Sequence, residues 1–169
     1  WKAGHRINGD LLGFKFDAWE GGHRVPFIAR WPGRIEAGSV SEQLICHIDL
    51  PATFAALTGG ELRPGEARDS RNILPALVGR PETPVRDHLV LAPSNKANLA
   101  LRDGRWLYVG ARGGGGFGGS KPGDHNLGGG AALKFTRETN SDFVNGKLIP
   151  DAPRQQLYDL AADPRQTLN

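Results

Sequence analysis

The sequence has no methionine, one cysteine and no long hydrophobic run among its 169 residues. The single Cys46 excludes an internal disulfide framework, and no apolar run approaches the roughly 20 residues that a membrane-spanning helix needs. No histidine has a partner at zinc-ligand spacing, and no G-x-S-x-G motif indicates an acyl hydrolase. The chain starts at Trp1 without a signal-peptide pattern, which favours a stretch of a longer protein.

Glycine and proline are abundant, at 24 and 12 residues, and the net charge is only +3. The basic residues are scattered, which favours a solvated surface over a polyanion-binding patch. A glycine-rich insert at about 110–130 predicts a surface loop, because it buries little and is costly to order. Its Ser120-Lys121-Pro122 does not match a phosphate-binding loop, since the proline removes a donor.

In the first half of the chain, residues 25–31 (VPFIARW) are almost continuously apolar, which predicts a strand buried on both faces, as in a parallel sheet. A helix is predicted over 50–58, with Asp49 as its N-cap and Gly59 as its stop. Its apolar residues repeat on one face: Leu50, Phe54 and Leu57.

A shorter helical turn is predicted within 70–79, capped by Ser70. Beyond residue 86 the texture changes to short strands, at 88–92, in a hairpin around Asp103-Gly104, and at 156–160. A part with a buried strand and helices therefore precedes an antiparallel part.

The stretch before residue 25 is the best candidate for chemistry. Lys15 lies five residues before Glu20-Gly21-Gly22, where the glycines permit close approach of backbones. A lysine beside a sheet edge can serve as a point charge for an anion. From the residues alone, a solvated loop lysine is the simpler interpretation.

Residues 13–27 (GFKFDAWEGGHRVPF), followed by RWPG at 30–33, resemble the pattern G-x-K-x-x-x-[WY]-E-G-G-x-R-x-P of the type I sulfatases, the formylglycine-dependent arylsulfatase family. Four further segments resemble the family in the same order, and the glycine-rich insert stays unmatched: CHIDLPATFAALTG, SRNILPALVG, LALRDGRWLYVGA and QLYDLAADPRQTLN.

The resemblance implies an α/β, alkaline-phosphatase-like sulfatase fold. Residues 1–84 would be the C-terminal part of the large α/β domain, and 85–169 a small antiparallel α+β subdomain. The chain would begin just after the family's metal-binding Asp-Asn segment. One departure is Gln166, where the family usually has Glu, and we expect it to be a surface change of little consequence.

The resemblance also implies a chemistry, in which a hydrated formylglycine attacks the sulfur of a sulfate ester. Lys15 would be catalytic, contacting the sulfate group and assisting the leaving oxygen. It would also bind substrate, together with His23 at the border of the pocket. Formylglycine and a divalent cation, normally Ca²⁺, are expected in the full-length protein. No residue of this chain is predicted to bind the metal, so these 169 residues alone should be inactive.

Two alternatives stay open: a phosphate or phosphonate ester hydrolase of the same superfamily, and a non-catalytic relative that binds sulfated glycans. The expected partner is a sulfate-ester small molecule or a sulfated glycan, and not a nucleic acid. A periplasmic or secreted location is the expectation from the resemblance.

Overall fold

The computed structural model describes residues 3–79, 81–117 and 128–169. The chain divides into two compact units, one formed by Trp1–Val25 with Val90–Asn169 and the other by Pro26–Leu89. These are called unit 1 and unit 2 below. The predicted domains, 1–84 and 85–169, refer to the complete protein and stay a prediction.

The elements are short. In chain order they are α1 (Glu20–His23), a 3₁₀ helix (His47–Asp49), α2 (Leu50–Thr58), α3 (Leu74–Val78), β1 (His88–Leu91), a second 3₁₀ helix (Lys96–Asn98), β2 (Ala100–Asp103), β3 (Trp106–Val109), α4 (Gly129–Thr136), β4 (Phe143–Val144), β5 (Lys147–Leu148) and β6 (Gln156–Asp159). In the part of the chain that the structure describes, no helix is long and apolar enough to span a membrane.

A four-stranded sheet in the order β1-β2-β3-β6 is the main feature of unit 1, and the unit boundary falls within β1. β3 pairs antiparallel with both β2 and β6. The predicted hairpin and the strand at 156–160 are thereby confirmed. Leu107 and Val109 are fully buried, whereas Trp106 and Tyr108 are exposed, as expected for a sheet with one face on a core.

The core of unit 1 lies against the buried face of this sheet and includes the residues just before α1. Its buried members are Leu12, Ala18, Trp19, Ala100, Leu107, Val109, Leu133 and Tyr158. The ring of Trp19 packs edge-on against Phe143 at a centroid distance of 5.6 Å. The chain segment that resembles the sulfatase signature is therefore held by the C-terminal sheet.

The prediction of a buried strand at 25–31 is wrong for this structure. These residues have no strand conformation and are exposed throughout, with Ile28 at 92% relative exposure. A strand covered on both faces needs paired neighbours and packed helices. Among the described residues, none pairs with this segment.

Unit 2 contains the two predicted helices. Asp49 precedes α2, but its side chain does not cap the helix as predicted, because its carboxylate accepts the N–H groups of Cys46 and Arg71 instead. α2 ends at Gly59, whose φ of 69° is the left-handed conformation that favours glycine. The apolar face of α2 is not buried: Phe54 is 57% exposed and Leu57 is 38% exposed. The buried residue is Thr53, whose hydroxyl donates to the carbonyl of Asp49 and accepts from the N–H of Ile73.

α3 starts later than predicted. Ile73 precedes its first residue and provides no side-chain cap, while Asn72 Oδ1 accepts the N–H of Leu74 at 3.0 Å. Ser70 instead accepts a hydrogen bond from the N–H of Ala52 at 3.0 Å and so connects the segment to α2. The predicted stop at Gly79 is confirmed.

The glycine-rich insert is only partly described, and the predictions for 118–127, including Ser120-Lys121-Pro122, lie outside the described residues. In its described part the expectation of a simple surface loop is wrong, since Gly114 and Gly128 are buried. A Cβ on Gly114 would lie 2.7 Å from atoms of Asp17 and of Trp19. Glycine is needed there because the backbone packs directly on these side chains.

Candidate active site

Lys15 lies on a tight turn formed by Phe14, Lys15, Phe16 and Asp17. The N–H of Asp17 donates to the carbonyl of Phe14 at 2.9 Å, which closes the turn. The Asp17 carboxylate accepts the N–H of Phe14 at 2.8 Å. Lys15 is exposed and forms no ion pair with any described residue, and its Nζ lies 5.2 Å from the centre of the Phe16 ring. The turn presents a positive charge that no ion pair with a described residue neutralises.

Asp17 holds this turn to the glycine-rich segment. Its Oδ1 accepts the N–H groups of Gly116 at 3.0 Å and of Gly129 at 2.9 Å. Burial raises the pKa of Asp17 to about 6, while hydrogen bonds from the backbone of Phe14, Gly129 and Gly116 oppose the rise. Sequence reasoning missed this role, although an aspartate inside an aromatic stretch must find donors if it is buried.

The Glu20-Gly21-Gly22 corner forms the start of α1 rather than a turn. The N–H of Gly21 donates to the carbonyl of Leu12 at 2.8 Å. A Cβ at Gly21 would lie 2.7 Å from that same oxygen, and one at Gly22 would lie 2.6 Å from the carbonyl oxygen of Phe14. The predicted architectural role of the glycines, which is to allow close approach of backbones, is confirmed.

Glu20 is a buried carboxylate surrounded by cations. Arg102 Nη1 lies 3.0 Å from its Oε1, and Arg24 Nη1 lies 3.4 Å from its Oε2. Burial, the largest influence, pushes its pKa upward, but the hydrogen bond from His23 and the charges of Arg102, His23 and Arg24 prevail and lower the pKa below its ordinary value. Glu20 is therefore ionised and structural, and it ties α1 to β2.

His23 is the second predicted substrate-binding residue, and it faces Glu20. Its Nε2 lies 3.4 Å from Glu20 Oε1, while its Nδ1 is buried without a hydrogen-bond partner among the described residues. No described hydrogen bond or ion pair joins His23 to Lys15. Substrate contact by either residue stays a prediction.

Gln166 is not a surface residue, so the expectation for this position is wrong. It is fully buried, and its Oε1 accepts the N–H of Glu20 at 2.8 Å. The carbonyl of Gln166 accepts from Asn140, which also donates to Tyr158. The C-terminal segment therefore fixes the start of α1 through a buried hydrogen bond, and position 166 faces the signature rather than solvent.

Trp19 is connected to the same buried network. Its indole N–H donates to Gln156 Oε1 at 3.0 Å, and the Tyr158 hydroxyl donates to the same oxygen at 2.6 Å. The Gln156 amide donates in turn to the carbonyls of Ala111 and Gly113. A buried Trp N–H needs such an acceptor, and the network joins β6 to the glycine-rich segment.

Glu138, just beyond α4, is a further titratable group beside the signature. Its Oε2 accepts the N–H of Gly13 at 3.3 Å, while its Oε1 is buried without a partner among the described residues. Burial raises the pKa of Glu138 to about 7, and the hydrogen bonds from Gly13 and Thr136 oppose the rise.

The carboxylates of the described residues do not fit a calcium site. Ca²⁺ takes six to eight oxygen ligands from several groups. The described residues contain no group of three or more His, Cys, Asp or Glu side chains arranged to hold a metal ion. Of the four buried carboxylates that the structure describes, Asp17, Asp49 and Glu20 accept from backbone N–H groups or guanidinium groups. The fourth, Asp142, accepts from the side chains of Ser141 and Asn169.

Comparison with known proteins places the signature in a family. Residues 4–60 match the family model described as Sulfatase. The chain is 31% identical over 98% of its length to an N-acetylgalactosamine-6-O-sulfatase of Bacteroides thetaiotaomicron, and 29% identical over 100% to an ulvan-active sulfatase of Formosa agariphila. It spans 27% and 32% of those two proteins.

A solved sulfatase structure matches 99% of this chain at a TM-score of 0.68 and 28% identity. Its description refers to the metabolism of multiple glycosaminoglycans by Bacteroides thetaiotaomicron. The match covers 29% of that structure. The predicted alkaline-phosphatase-like α/β fold class is thereby confirmed. The family match and the whole-chain relatives also confirm the predicted recognition: this chain belongs to the sulfatase family and corresponds to the C-terminal portion of a sulfatase.

Proposed function

We propose that the full-length protein containing this chain hydrolyses sulfate esters to an alcohol and sulfate, and that its substrates are sulfated carbohydrates. The two relatives that align over almost the whole chain carry names that refer to a sulfated amino sugar and to ulvan. Relatives named steryl-sulfatase align over about half of the chain or less. Whole-chain similarity therefore favours the carbohydrate class.

The observation that carries the proposal is the exposed Lys15 side chain on a turn that hydrogen bonds to the buried Asp17 hold in place. Asp17 closes the turn and anchors it to two glycine-rich backbone segments. Fixed positive charge around the oxygens of the transferred sulfuryl group stabilises the transition state of sulfuryl transfer. Lys15, without an ion-pair partner among the described residues, is placed to supply such a charge.

Lys15 has two tasks in this proposal. Its ammonium holds the sulfuryl oxygens, and it donates toward the ester oxygen as that oxygen leaves. His23 borders the pocket on the α1 side, where Glu20 orients its Nε2. Formylglycine and a calcium ion belong to the full-length protein in this proposal, and no step assigned here uses them. A periplasmic or secreted location is part of the same proposal.

The test uses the full-length protein and a sulfated monosaccharide. Lys15→Ala should lower kcat/KM by about 10²-fold or more, since one positioned donor in a water-poor site contributes about 3 kcal/mol to the transition state. Lys15→Arg should recover only part of the loss, because the planar guanidinium places its charge differently. Lys147→Ala, at an exposed lysine of β5, is the matched control and should remain near wild type.

Near-normal turnover by Lys15→Ala would remove Lys15 from the site. A wild-type protein that cleaves phosphate or phosphonate esters but no sulfate ester would contradict the proposed activity. Binding of sulfated glycans without any turnover would contradict it as well and would support the non-catalytic alternative.

A further inference from the structure

The turn that carries Lys15 holds an unusual residue at its third position. Phe16 has a φ of 77°, a left-handed conformation in which a residue with a bulky side chain is a genuine outlier. A turn of this kind favours glycine or asparagine there. The conformation is held by the bond from Asp17 N–H to the Phe14 carbonyl, and by one from Ser94 N–H to the Phe16 carbonyl at 3.1 Å. A phenyl ring at a position suited to glycine indicates that the ring itself has a use.

The Phe16 ring meets a second exposed aromatic ring. Phe117 packs edge-on against it with a centroid distance of 4.7 Å and an interplanar angle of 70°. The two side chains remain 42% and 39% exposed. They come from segments about a hundred residues apart in the sequence, so the pair is not a product of local chain geometry.

The segment before Phe117 is anchored rather than loose. Gly116 donates its N–H to Asp17, and Gly115 accepts at 2.8 Å from the N–H of Asn95. Asn98 donates its side-chain amide to the carbonyl of Gly113 at 2.9 Å. Both rings therefore project from backbones that Asp17 holds together.

The positive charge of Lys15 lies next to the apolar surface of the two phenyl rings. Lys15 Nζ lies 5.2 Å from the centre of the Phe16 ring, within the range of a cation–π contact. A ligand that suits this surface has an anionic group for the lysine and, directly attached, a ring with an apolar face for the phenyl rings. A sulfated sugar has both, since a pyranose ring presents C–H groups on one face and burying them against aromatic surface is favourable.

We propose that Phe16 and Phe117 form a stacking surface for the sugar ring that carries the sulfate, and that they determine specificity by binding this ring while Lys15 binds its sulfate. This inference rests on the proposed function and extends it to residues that the resemblance to the family does not assign. Phe117 lies in the glycine-rich insert, outside the segments that carry the resemblance.

The experiment separates the ring from the charge in the full-length protein. Phe16→Gly removes the phenyl ring and suits the backbone conformation, so the Tm should stay the same or rise. For a sulfated monosaccharide, KM should rise by about tenfold while kcat stays within about twofold, as expected for lost uniform binding. The inhibition constant of inorganic sulfate, which has no ring, should change by less than about twofold.

Further variants test the pair. Phe117→Ala should raise KM in the same direction, and Phe16→Tyr should retain near wild-type KM because it keeps the ring. Trp106→Ala is the matched control, since this residue is another exposed aromatic of unit 1, and its KM should not change.

Unchanged KM in both Phe16→Gly and Phe117→Ala would overturn the proposal. A parallel rise of KM and of the sulfate inhibition constant would also overturn it, because the turn and Lys15 would then have moved. If the wild type hydrolyses no sulfate ester, the proposed function has failed, and equilibrium binding of the sulfated monosaccharide decides the inference separately. Weaker binding by Phe16→Gly than by wild type would support it, and no binding by the wild type would overturn it.

Discussion

Glu138 is a residue whose ionisation works against the folded state. Its folded pKa of about 7 lies above its ordinary value of 4.5, because burial disfavours the charge and Oε1 has no described partner. Below about pH 4.5 both the folded and the unfolded chain are protonated at this position, and its contribution to stability is fully present. As the pH rises toward 7 the unfolded chain loses its proton first, so the free energy of unfolding falls.

We therefore expect Glu138→Gln to change the pH dependence of stability. At pH 5 the apparent Tm of the full-length variant should be close to that of the wild type. At pH 8 the variant should be more stable, by an amount on the order of 1 kcal/mol after allowance for partial solvent screening. The measurement is a thermal melt at several pH values, with the exposed Glu61→Gln as control. A Tm difference that does not change between pH 5 and pH 8 would show that Glu138 does not titrate in this window.

Gln166 shows what the sequence does not reveal at the scale of a residue. A polar residue in a polar C-terminal segment indicates a surface position. The structure buries it because its amide reaches the first N–H of α1, a contact between positions 146 residues apart. Local composition does not specify such a partner, and Asp17 escaped notice for the same reason. Lys15 is predicted as a site residue by the resemblance of its segment to the sulfatase signature, because its spacing from Glu20-Gly21-Gly22 alone favours a solvated loop lysine.

At the scale of an element, α1 depends on its two glycines. The backbones of residues 12–14 approach α1 so closely that a Cβ at Gly21 or Gly22 would lie within 3.0 Å of carbonyl oxygens. These oxygens include those of residues 12–14, which lead into the turn that carries Lys15. A side chain at either glycine must therefore displace backbone, since no flexible side chain is available to move.

We expect Gly22→Ala to destabilise the full-length protein by about 2–4 kcal/mol, in the range of strongly overpacked sites. Turnover should fall with it, because the displaced backbone includes Phe14 of the lysine turn. The matched control is Gly79→Ala, where the added Cβ would make an ordinary contact of 3.7 Å with the Pro75 carbonyl. Differential scanning calorimetry of both variants is the measurement. Equal Tm values for the two variants would argue against tight packing at α1.

Helices and strands that are marked by neighbouring turn or cap residues could be predicted from the sequence. Segments whose structure depends on contacts with residues distant in the sequence could not. The hairpin of β2 and β3 follows from alternation and an Asp-Gly turn, and α2 follows from its flanking Asp49 and Gly59. Residues 25–31 have the composition of a buried strand, but composition does not provide a neighbouring strand. The glycine-rich segment was expected to be loose, whereas Asp17 and Trp19 hold its described part.

At the scale of the whole molecule, the two units differ in how much apolar surface they cover. Unit 1 has a buried apolar cluster between the sheet, α4 and the segment before α1, although it also exposes large apolar side chains such as Ile7 and Leu168. Unit 2 leaves large apolar side chains exposed: Phe27, Ile28, Trp31, Val40, Ile48, Phe54 and Leu57. Exposed apolar surface in contiguous patches is a cause of association. We expect this surface to be covered by the remainder of the full-length protein or, when residues 1–169 are alone, by further copies of the same residues.

The last prediction concerns residues 1–169 expressed alone. We expect this chain to self-associate at micromolar concentrations, because Ile28 is 92% exposed and residues 25–31 are exposed and pair with no strand among the described residues. Sedimentation velocity over a concentration series is the measurement. The double variant Phe27→Ser with Ile28→Ser should shift the distribution toward monomer, whereas Val144→Ser, at a residue 60% exposed in unit 1, should not. A wild-type chain that stays monomeric at about 100 μM and melts in a sharp, concentration-independent transition would contradict the prediction. The exposed residues of unit 2 would then be tolerated surface rather than a face that requires a cover.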